Sequence, residues 1–252
     1  MVPVGVNAAG AMMGVDTGAG LTVIGSHLAN AAGAKRLGAR TGARDANGDG
    51  VGVELALVDL VLGGIRIERH PVLVMDSARL RFQLAGNEVA GFDGVLGWNT
   101  LARLRMTLDN AKHTITFERS MGNARGGGDL FWIGEPYVRA RAGNGLPLTL
   151  FLDTGASHTA LAAPVAAGAG FTGGERKSTQ VTGAGGSRNV DVSVYRNAPL
   201  HVGGARVVFG EIHSIEPRSS GYAVRDGVLG ADVLASGTIV VDPLARLIRI
   251  TP

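Results

Sequence analysis

Two short patterns each occur twice in this chain, in the same order and at nearly the same spacing. Asp16-Thr17-Gly18-Ala19 returns as Asp153-Thr154-Gly155-Ala156, and Asp93-Gly94-Val95-Leu96-Gly97 returns as Asp226-Gly227-Val228-Leu229-Gly230. Chance rarely repeats two separate patterns in register, so the chain is predicted to contain two copies of one structural unit. We expect an N-terminal lobe over 1–121, a glycine-rich linker over 122–129 and a C-terminal lobe over 130–252.

The composition allows a packed core and excludes several kinds of site. Of 252 residues, 45% are hydrophobic and 18% charged, which argues against intrinsic disorder. The absence of cysteine excludes a disulfide scaffold, a cysteine zinc site, an iron–sulfur cluster and a cysteine nucleophile. The histidines show no metal-binding spacing, so we expect no metal and no cofactor.

Charge is balanced along the chain. The net charge of +3 comes from 24 basic and 21 acidic residues without a basic block, which argues against nucleic acid as a partner. The longest stretch without a formal charge, 154–174, is polar and contains Pro164, so no membrane span is expected.

Met1-Val2-Pro3-Val4 does not resemble a signal peptide. It suggests a trimmed start in place of a longer leader, which favours a periplasmic or secreted protein, although a cytoplasmic one fits almost as well.

Short strands and few helices are predicted, so the fold class is all-β. The pairs Gly63-Gly64 and Gly203-Gly204 each predict a hairpin turn between two apolar strands. A longer helix is predicted from Ser26 to Leu37, ended by Gly38, and a short one from Thr100 to Leu104, capped by Asn99.

Each Asp-Thr-Gly-Ala segment follows an apolar strand, which places Asp16 and Asp153 where a strand enters a turn. A single copy of this pattern is most simply an ordinary Asx turn. Two copies that pack about a pseudo-twofold axis would bring the two carboxyl groups together, where they share one proton. One carboxyl then acts as base and the other as acid on a bound water, which hydrolyses an amide without a covalent intermediate.

These motifs resemble the aspartic peptidases of the retropepsin and pepsin kind, which show Asp-Thr/Ser-Gly after a strand, a flap hairpin, and later two hydrophobic residues before a glycine. The resemblance covers nearly the whole chain, twice, and is closest to bacterial tandem proteins built from two fused retropepsin-sized units. It implies two pseudo-twofold-related β-barrel lobes with short helices, in a pepsin-like bilobal arrangement around a cleft. It implies that Asp16 and Asp153 are catalytic, that Thr17 and Thr154 interlock beneath them, and that Gly18 and Gly155 support the site.

The residue after each Asp-Thr-Gly differs from the pepsin pattern, in which a Ser or Thr hydroxyl stabilises the ionised carboxylate. The side chains of Ala19 and Ala156 donate no hydrogen bond. Losing such a bond raises the pKa of a carboxyl group. We therefore expect activity at mildly acidic pH, above the range of digestive pepsins.

Two glycine-rich hairpins are candidate flaps, over 40–52 and 179–188. Their shared tripeptides are Thr41-Gly42-Ala43 and Thr182-Gly183-Ala184. Mobile covers over binding sites often have such tips, but an ordinary surface hairpin is about as good an interpretation for either one. Neither tip has the flap tyrosine of pepsins. The segment 45–50 imitates the start of a calcium loop, but Ala56 stands where a bidentate Glu is needed, which favours a hairpin tip.

The expected function is an aspartic endopeptidase that acts as a monomer on an extended peptide or protein. One alternative is a non-catalytic peptide-binding module on a duplicated protease fold, although the presence of both Asp residues argues against it. A second alternative is a chain that must dimerise to act.

Overall fold

The computed structural model describes residues 1–44, 50–80, 82–84, 87–89, 91–120, 122, 128–183, 186–215 and 225–251. These residues form mostly strands with a few short helices, which confirms the predicted all-β class. In the first half the strands are β1 (Val2–Val6), β2 (Ala9–Val15), β3 (Val23–Gly25), β4 (Lys35–Arg44), β5 (Gly50–Leu62), β6 (Ile65–Met75), β7 (Phe82–Leu84), β8 (Asn87–Val89), β9 (Gly94–Leu96), β10 (Leu104–Asp109) and β11 (Thr114–Arg119).

The second half repeats this series with similar lengths. Its strands are β12 (Leu130–Trp132), β13 (Pro136–Ala142), β14 (Pro147–Leu152), β15 (Ala160–Ala162), β16 (Glu175–Gly183), β17 (Gly186–Val202), β18 (Ala205–Ile215), β19 (Gly227–Leu229), β20 (Thr238–Asp242) and β21 (Leu247–Thr251). The helices are α1 (Ser26–Ala31), α2 (Trp98–Leu101) and α3 (Ala163–Gly168), with 3₁₀ turns at Ser77–Leu80 and Ala231–Ser236. No helix among the described residues has the length and apolarity needed to cross a membrane.

The chain divides into two compact units with interleaved segments. One comprises residues 1–15, 21–100 and 179–190, and the other comprises 16–20, 101–178 and 191–252. The second unit therefore contains both Asp-Thr-Gly segments. The boundaries predicted from the repeat, 1–121 and 130–252, stay a prediction.

The two large sheets share one topology. The first runs β1-β2-β9-β3-β6-β5-β4, and the pairing of β1 with β5 closes six of these strands into a barrel. The second runs β12-β13-β14-β19-β15-β18-β17-β16, and the pairing of β13 with β17 closes it in the same way. When the two strand orders are aligned, β2 corresponds to β14, β9 to β19, β3 to β15, and β6 to β18. The duplication read from sequence is thus a duplication of structure.

Strand alternation explains the core of each barrel. Along β5, buried Val51 and Val53 alternate with more exposed neighbours, and farther along buried Ala56, Val58, Leu60 and Leu62 do the same. A period of two places the members of each set on one face of the sheet, and the alternation changes phase between Val53 and Ala56. In the first barrel Val51 and Val53 pack with Leu73, Met75 and Leu80.

A separate four-stranded sheet, β11-β10-β20-β21, joins the last hairpin of each copy. Its central contact is antiparallel, with Met106 opposite Val241 and Leu108 opposite Ile239. All four of these side chains are buried.

The glycine-pair hairpins are confirmed. Gly63 and Gly64 have φ of 53° and 81°, and Gly203 and Gly204 have 58° and 81°. Two successive positive φ angles define the tight turn that matches the twist of paired strands, and glycine adopts them without a Cβ penalty.

Both helix predictions need correction. The helix predicted over 26–37 ends at Ala31, because Gly33 takes the left-handed φ of 59° and Lys35 already begins β4. The helix predicted over 100–104 is α2, Trp98–Leu101, so Asn99 lies within it. The side chain of Asn99 instead accepts a hydrogen bond from the Thr22 amide.

Candidate active site

Each Asp-Thr-Gly segment follows the end of a barrel strand that is paired on both sides. Strand β2 pairs in parallel with β9, which places Val15 opposite Leu96, and Asp16 follows directly. Strand β14 pairs in parallel with β19, which places Leu152 opposite Leu229, and Asp153 follows. The two repeated motifs of each copy are therefore neighbours on adjacent strands.

The Asp-Gly-Val-Leu-Gly repeats hold this arrangement together. Asp93 Oδ2 accepts a 2.7 Å hydrogen bond from the Met12 amide, and Asp226 Oδ2 accepts one of 2.7 Å from the Thr149 amide. A Cβ at Gly94 would overlap the Val23 carbonyl oxygen, and one at Gly227 would overlap that of Ala160. The carboxylate fixes one neighbouring strand, and the glycine lets another approach closely.

Thr17 and Thr154 exchange hydrogen bonds. The Thr17 amide donates to Thr154 Oγ1 at 3.1 Å, and the Thr154 amide donates to Thr17 Oγ1 at 3.0 Å. The Thr17 hydroxyl also donates to the Leu152 carbonyl at 2.8 Å. Thr17 is only 1% exposed, so these bonds lie out of water and fix the two segments against each other.

This interlock brings the two carboxyl groups together. A hydrogen bond joins the side chains of Asp16 and Asp153. A Cβ built on Gly18 would lie 2.5 Å from the carboxyl carbon of Asp153, and one built on Gly155 would lie 2.7 Å from Asp16 Oδ2. Each glycine thus makes room for the carboxyl group of the opposite copy.

The amides of each turn point at the carboxyl groups. Asp16 Oδ1 accepts from Gly18 at 2.8 Å and Ala19 at 3.2 Å, and Asp153 Oδ1 accepts from Gly155 at 2.9 Å and Ala156 at 3.2 Å. The Gly155 amide also bonds Asp16. Asp16 therefore receives more donors than Asp153.

Burial raises the pKa of both carboxyl groups. For Asp153, burial together with the nearby charge of Asp16 raises the pKa to about 7. Burial also raises the pKa of Asp16, against the opposing effect of its amide donors and of Asp153. The leading cause of both shifts is burial, and the backbone amides of Ala19 and Ala156 donate to the carboxylates. The effect expected from the missing Ser or Thr hydroxyls stays a prediction.

Comparison with known proteins agrees with this geometry. The model of the family described as "Aspartyl protease" matches residues 2–100 and 138–233, which together exceed half of the sequence. The chain belongs to the aspartyl protease family. Two matches in one chain correspond to a tandem, duplicated retropepsin-like protein, as the motifs indicated. The first match contains Asp16 and the second contains Asp153. No curated protein matches the chain.

This member of the aspartyl protease family has a second set of paired residues that sequence reasoning missed. A buried threonine stands six residues after each Asp, and its hydroxyl oxygen accepts a hydrogen bond from the last glycine of the Asp-Gly-Val-Leu-Gly repeat. The Gly97 amide donates to Thr22 Oγ1 at 3.0 Å, and the Gly230 amide donates to Thr159 Oγ1 at 3.1 Å. The amides of these threonines donate in turn, at 2.8 Å each, to Asn99 Oδ1 and Asp232 Oδ2. Both acceptors stand two residues after the glycine of the repeat, and the only signal in the sequence is that each position holds a short side chain with an acceptor oxygen.

The two networks end differently. In the first copy, Thr22 Oγ1 also bonds Thr100 Oγ1, which bonds Nε2 of buried His70 at 2.8 Å. In the second copy, the Thr159 hydroxyl donates to Asp232 Oδ1 at 2.6 Å. The first network therefore ends on neutral hydroxyl and amide groups and an imidazole, and the second ends on a carboxyl group.

The candidate flap residues lie on strands at the far end of each sheet from β1 and β12. On β4, Thr41, Gly42 and Ala43 pair with Val53, Gly52 and Val51 of β5. Thr182 and Gly183 end β16, and Ala184 lies outside the described residues, as does most of the calcium-like segment 45–50. Over the described ranges, no group of three His, Asp or Glu side chains is arranged to hold a metal ion.

Proposed function

We propose that this aspartyl protease family member is an aspartic endopeptidase whose dyad is Asp16 and Asp153. The observation that carries the proposal is the mutual packing of Gly18 against Asp153 and of Gly155 against Asp16, with a hydrogen bond between the two carboxyl groups. Two carboxyl groups this close hold one proton between them, which is the state that general acid–base hydrolysis requires.

The different donor sets favour distinct roles for the two groups. Asp16 accepts amides from both copies and a hydrogen bond from Asp153, all of which stabilise a carboxylate. Asp153 has fewer donors, and its pKa is raised to about 7, so it holds the shared proton at mildly acidic pH. We assign Asp16 as the base and Asp153 as the acid.

The reaction then follows ordinary amide hydrolysis. Asp16 takes a proton from a water as that water adds to the scissile carbonyl carbon, and Asp153 gives its proton to the carbonyl oxygen. When the tetrahedral intermediate collapses, the C–N bond breaks and the amine leaves with the proton that Asp16 took, while one hydroxyl of the intermediate returns a proton to Asp153 and becomes the new carbonyl oxygen. The second product is a carboxylic acid, and no covalent enzyme intermediate forms.

An extended peptide or protein is the proposed substrate. The family implies a peptide. The candidate flap strands β4 and β16 each end the order of their sheet, so each offers an edge to which an extended chain can add as a strand.

We further propose that the protein acts as a monomer. One chain supplies both Asp residues and both hairpins of the sheet in which β10 pairs with β20. Mixing the Asp16→Asn and Asp153→Asn variants tests this: the mixture stays inactive if each dyad lies within one chain, and recovers activity if chains exchange halves.

Cleavage of a degenerate peptide pool from pH 3 to 8 tests the proposed function. We expect wild type to cut, a statine-type inhibitor to block it, and both Asp→Asn variants to lose activity. Asp76→Asn is the matched control, because Asp76 is exposed and asparagine keeps the oxygen that accepts the Ala78 amide. Inhibitor binding without cleavage at any pH would favour a latent or very selective protease. If the protein neither cleaves any peptide nor binds the inhibitor, the proposed function is contradicted and the alternative of a peptide-binding module remains.

A further inference from the structure

Four positions around the turn that follows each Asp are ionisable in the second copy and not in the first. The strand registers make the positions equivalent: Val23 lies opposite Leu73, and Ala160 lies opposite His213. The second copy has His158, Glu211, His213 and Asp232 where the first has Leu21, Pro71, Leu73 and Asn99.

In the second copy these four residues form a contiguous cluster. The rings of His158 and His213 stack with centroids 4.6 Å apart and planes inclined by 29°. His213 is 8% exposed, whereas His158 is exposed. Nε2 of His213 lies 3.6 Å from Glu211 Oε2. His158, Glu211 and Asp232 line a cavity of about 510 Å³ beside the 3₁₀ turn 231–236.

The cluster is built into the support of the Asp153 turn. Asp232 accepts both the amide and the hydroxyl of Thr159, the residue after His158. The Ala231 amide donates to the Ala156 carbonyl at 2.7 Å. A Cβ on Gly230 would lie 2.6 Å from the carbonyl carbon of His158, so the two backbones touch and a shift of His158 is passed on to 229–232.

We propose that His158, His213 and Asp232 make the turn that carries Asp153 responsive to pH, whereas the corresponding turn after Asp16 is not. While they are uncharged, the two rings stack and hold the turn. When both rings are protonated, two cations face each other at the stacking distance, and their repulsion loosens the turn. The effect on catalysis rests on the proposed role of Asp153, but the loosening itself does not.

The neighbouring charges leave the second proton poorly compensated. Glu211 already pairs with Arg196 of β17 at 2.6 Å and lies 3.5 Å from Lys177 of β16. Both carboxyl oxygens of Asp232 accept hydrogen bonds from Thr159, and burial raises the pKa of Asp232. Arg206 lines the same cavity and adds positive charge. The register partners of His213, Ala160 on β15 and Val194 on β17, carry no charge.

Burial and the charge of His158 lower the pKa of His213, and they outweigh Glu211 and Asp232, whose negative charges raise it. A histidine with a lowered pKa binds its proton less readily in the folded state than in the unfolded state. Its contribution to stability is complete above the ordinary value of 6.5 and is lost as pH falls below it. The loosening is therefore expected on the acidic side.

Amide hydrogen exchange tests the proposal without requiring catalysis. The informative amides are Thr159, Gly230 and Ala231, which donate within the support, and the internal controls are Thr22 and Gly97 of the first copy. The matched variant is His158→Leu with His213→Leu, which imports the first-copy residues Leu21 and Leu73. His213→Phe keeps a stacked ring without a titrating group and serves if the double variant folds poorly.

We expect the wild-type protection factors of the three informative amides to fall at least about tenfold between about pH 7.5 and about pH 5. The same amides should change less than about twofold in the variants, and the first-copy amides should stay constant in all proteins. A flat wild-type profile, or an equal fall in wild type and variants, would overturn the proposal. The variants keep the dyad, so its titration cannot imitate this difference.

Cleavage separates this proposal from the proposed function. If the protein cuts peptides, the acidic limb of kcat/KM should move to lower pH in the variants, and coincident limbs would contradict the coupling to Asp153. If nothing is cut but the exchange pattern is found, the proposed function fails and the pH response of the turn stands.

Discussion

A Cβ added to Gly18 would lie 2.5 Å from the carboxyl carbon of Asp153, in the other copy of the repeat. The φ of Gly18 is not in the left-handed region, so the requirement for glycine comes from space and not from backbone conformation. Gly155 has the same relationship to Asp16. The glycine of each Asp-Thr-Gly segment is therefore required because the opposite carboxyl group approaches it closely.

Gly18→Ala and Gly155→Ala should therefore abolish activity by pushing the carboxyl groups apart. We expect kcat/KM to fall at least about 100-fold, since small displacements of reacting groups cost this much. The control is Gly20→Ala, because a Cβ at Gly20 would meet nothing within 4 Å. Equal peptide cleavage by Gly18→Ala and Gly20→Ala would show that the carboxyl groups are not held at this distance.

Thr17→Val should destabilise the protein because it removes a buried hydroxyl. The change leaves the Thr154 amide and the Leu152 carbonyl without the partners that Thr17 provides. The expected loss in the free energy of unfolding is about 2 to 4 kcal/mol, measured by urea denaturation. Thr17→Ser keeps the hydroxyl and should lose only about 1 kcal/mol. Similar losses in both variants would mean that the methyl group matters and the interlock does not.

Activity should decline as pH rises through about 7, because burial and the charge of Asp16 raise the pKa of Asp153 to about that value. Above it the dyad loses the proton that the acid must donate. A profile of kcat/KM from about pH 1.5 to about pH 9 checks this expectation. A maximum near pH 2 would contradict it, since Asp16 also has a raised pKa and would be protonated there.

Asp153→Asn should gain stability relative to wild type as pH rises. In wild type the folded state holds the Asp153 proton more tightly than the unfolded state, because its pKa is raised from the ordinary value of 3.8 to about 7. The stability of wild type therefore falls as pH rises through this range. Asparagine has no proton to lose. We expect the difference between variant and wild type to grow by on the order of 2 kcal/mol from pH 4 to pH 8, after discounting for partial exposure. A constant difference for Asp153→Asn would exclude the raised pKa.

The sequence predicted the duplication, the all-β class and the proximity of the two Asp-Thr-Gly segments, because repeated motifs constrain both copies at once. It also predicted the Gly63-Gly64 turn, where local backbone chemistry decides the structure. It did not predict the end of α1, because residues 34–37 past Gly33 all have high helix propensity, whereas in the fold Lys35 and Arg36 pair with β5 as part of β4.

The support residues escaped prediction because their partners are distant in sequence. Thr22 and Asn99 lie far apart along the chain, and their hydrogen bond follows only from the pairing of β3 with β9. The causes of the pKa shifts escaped for a similar reason. Missing side-chain donors at Ala19 and Ala156 could be read from the sequence, whereas the burial that dominates both shifts depends on the folded environment.

The most direct test of the central claim is the rate at which Asp153→Asn cleaves one peptide selected from the pool, compared with wild type and Asp16→Asn at about pH 5. If one dyad per chain performs the chemistry, both variants should be slower than wild type by at least about 1,000-fold, with Asp76→Asn unchanged. A variant that retains the wild-type rate while the other loses it would contradict the account, because the chemistry would then need only one of the two carboxyl groups.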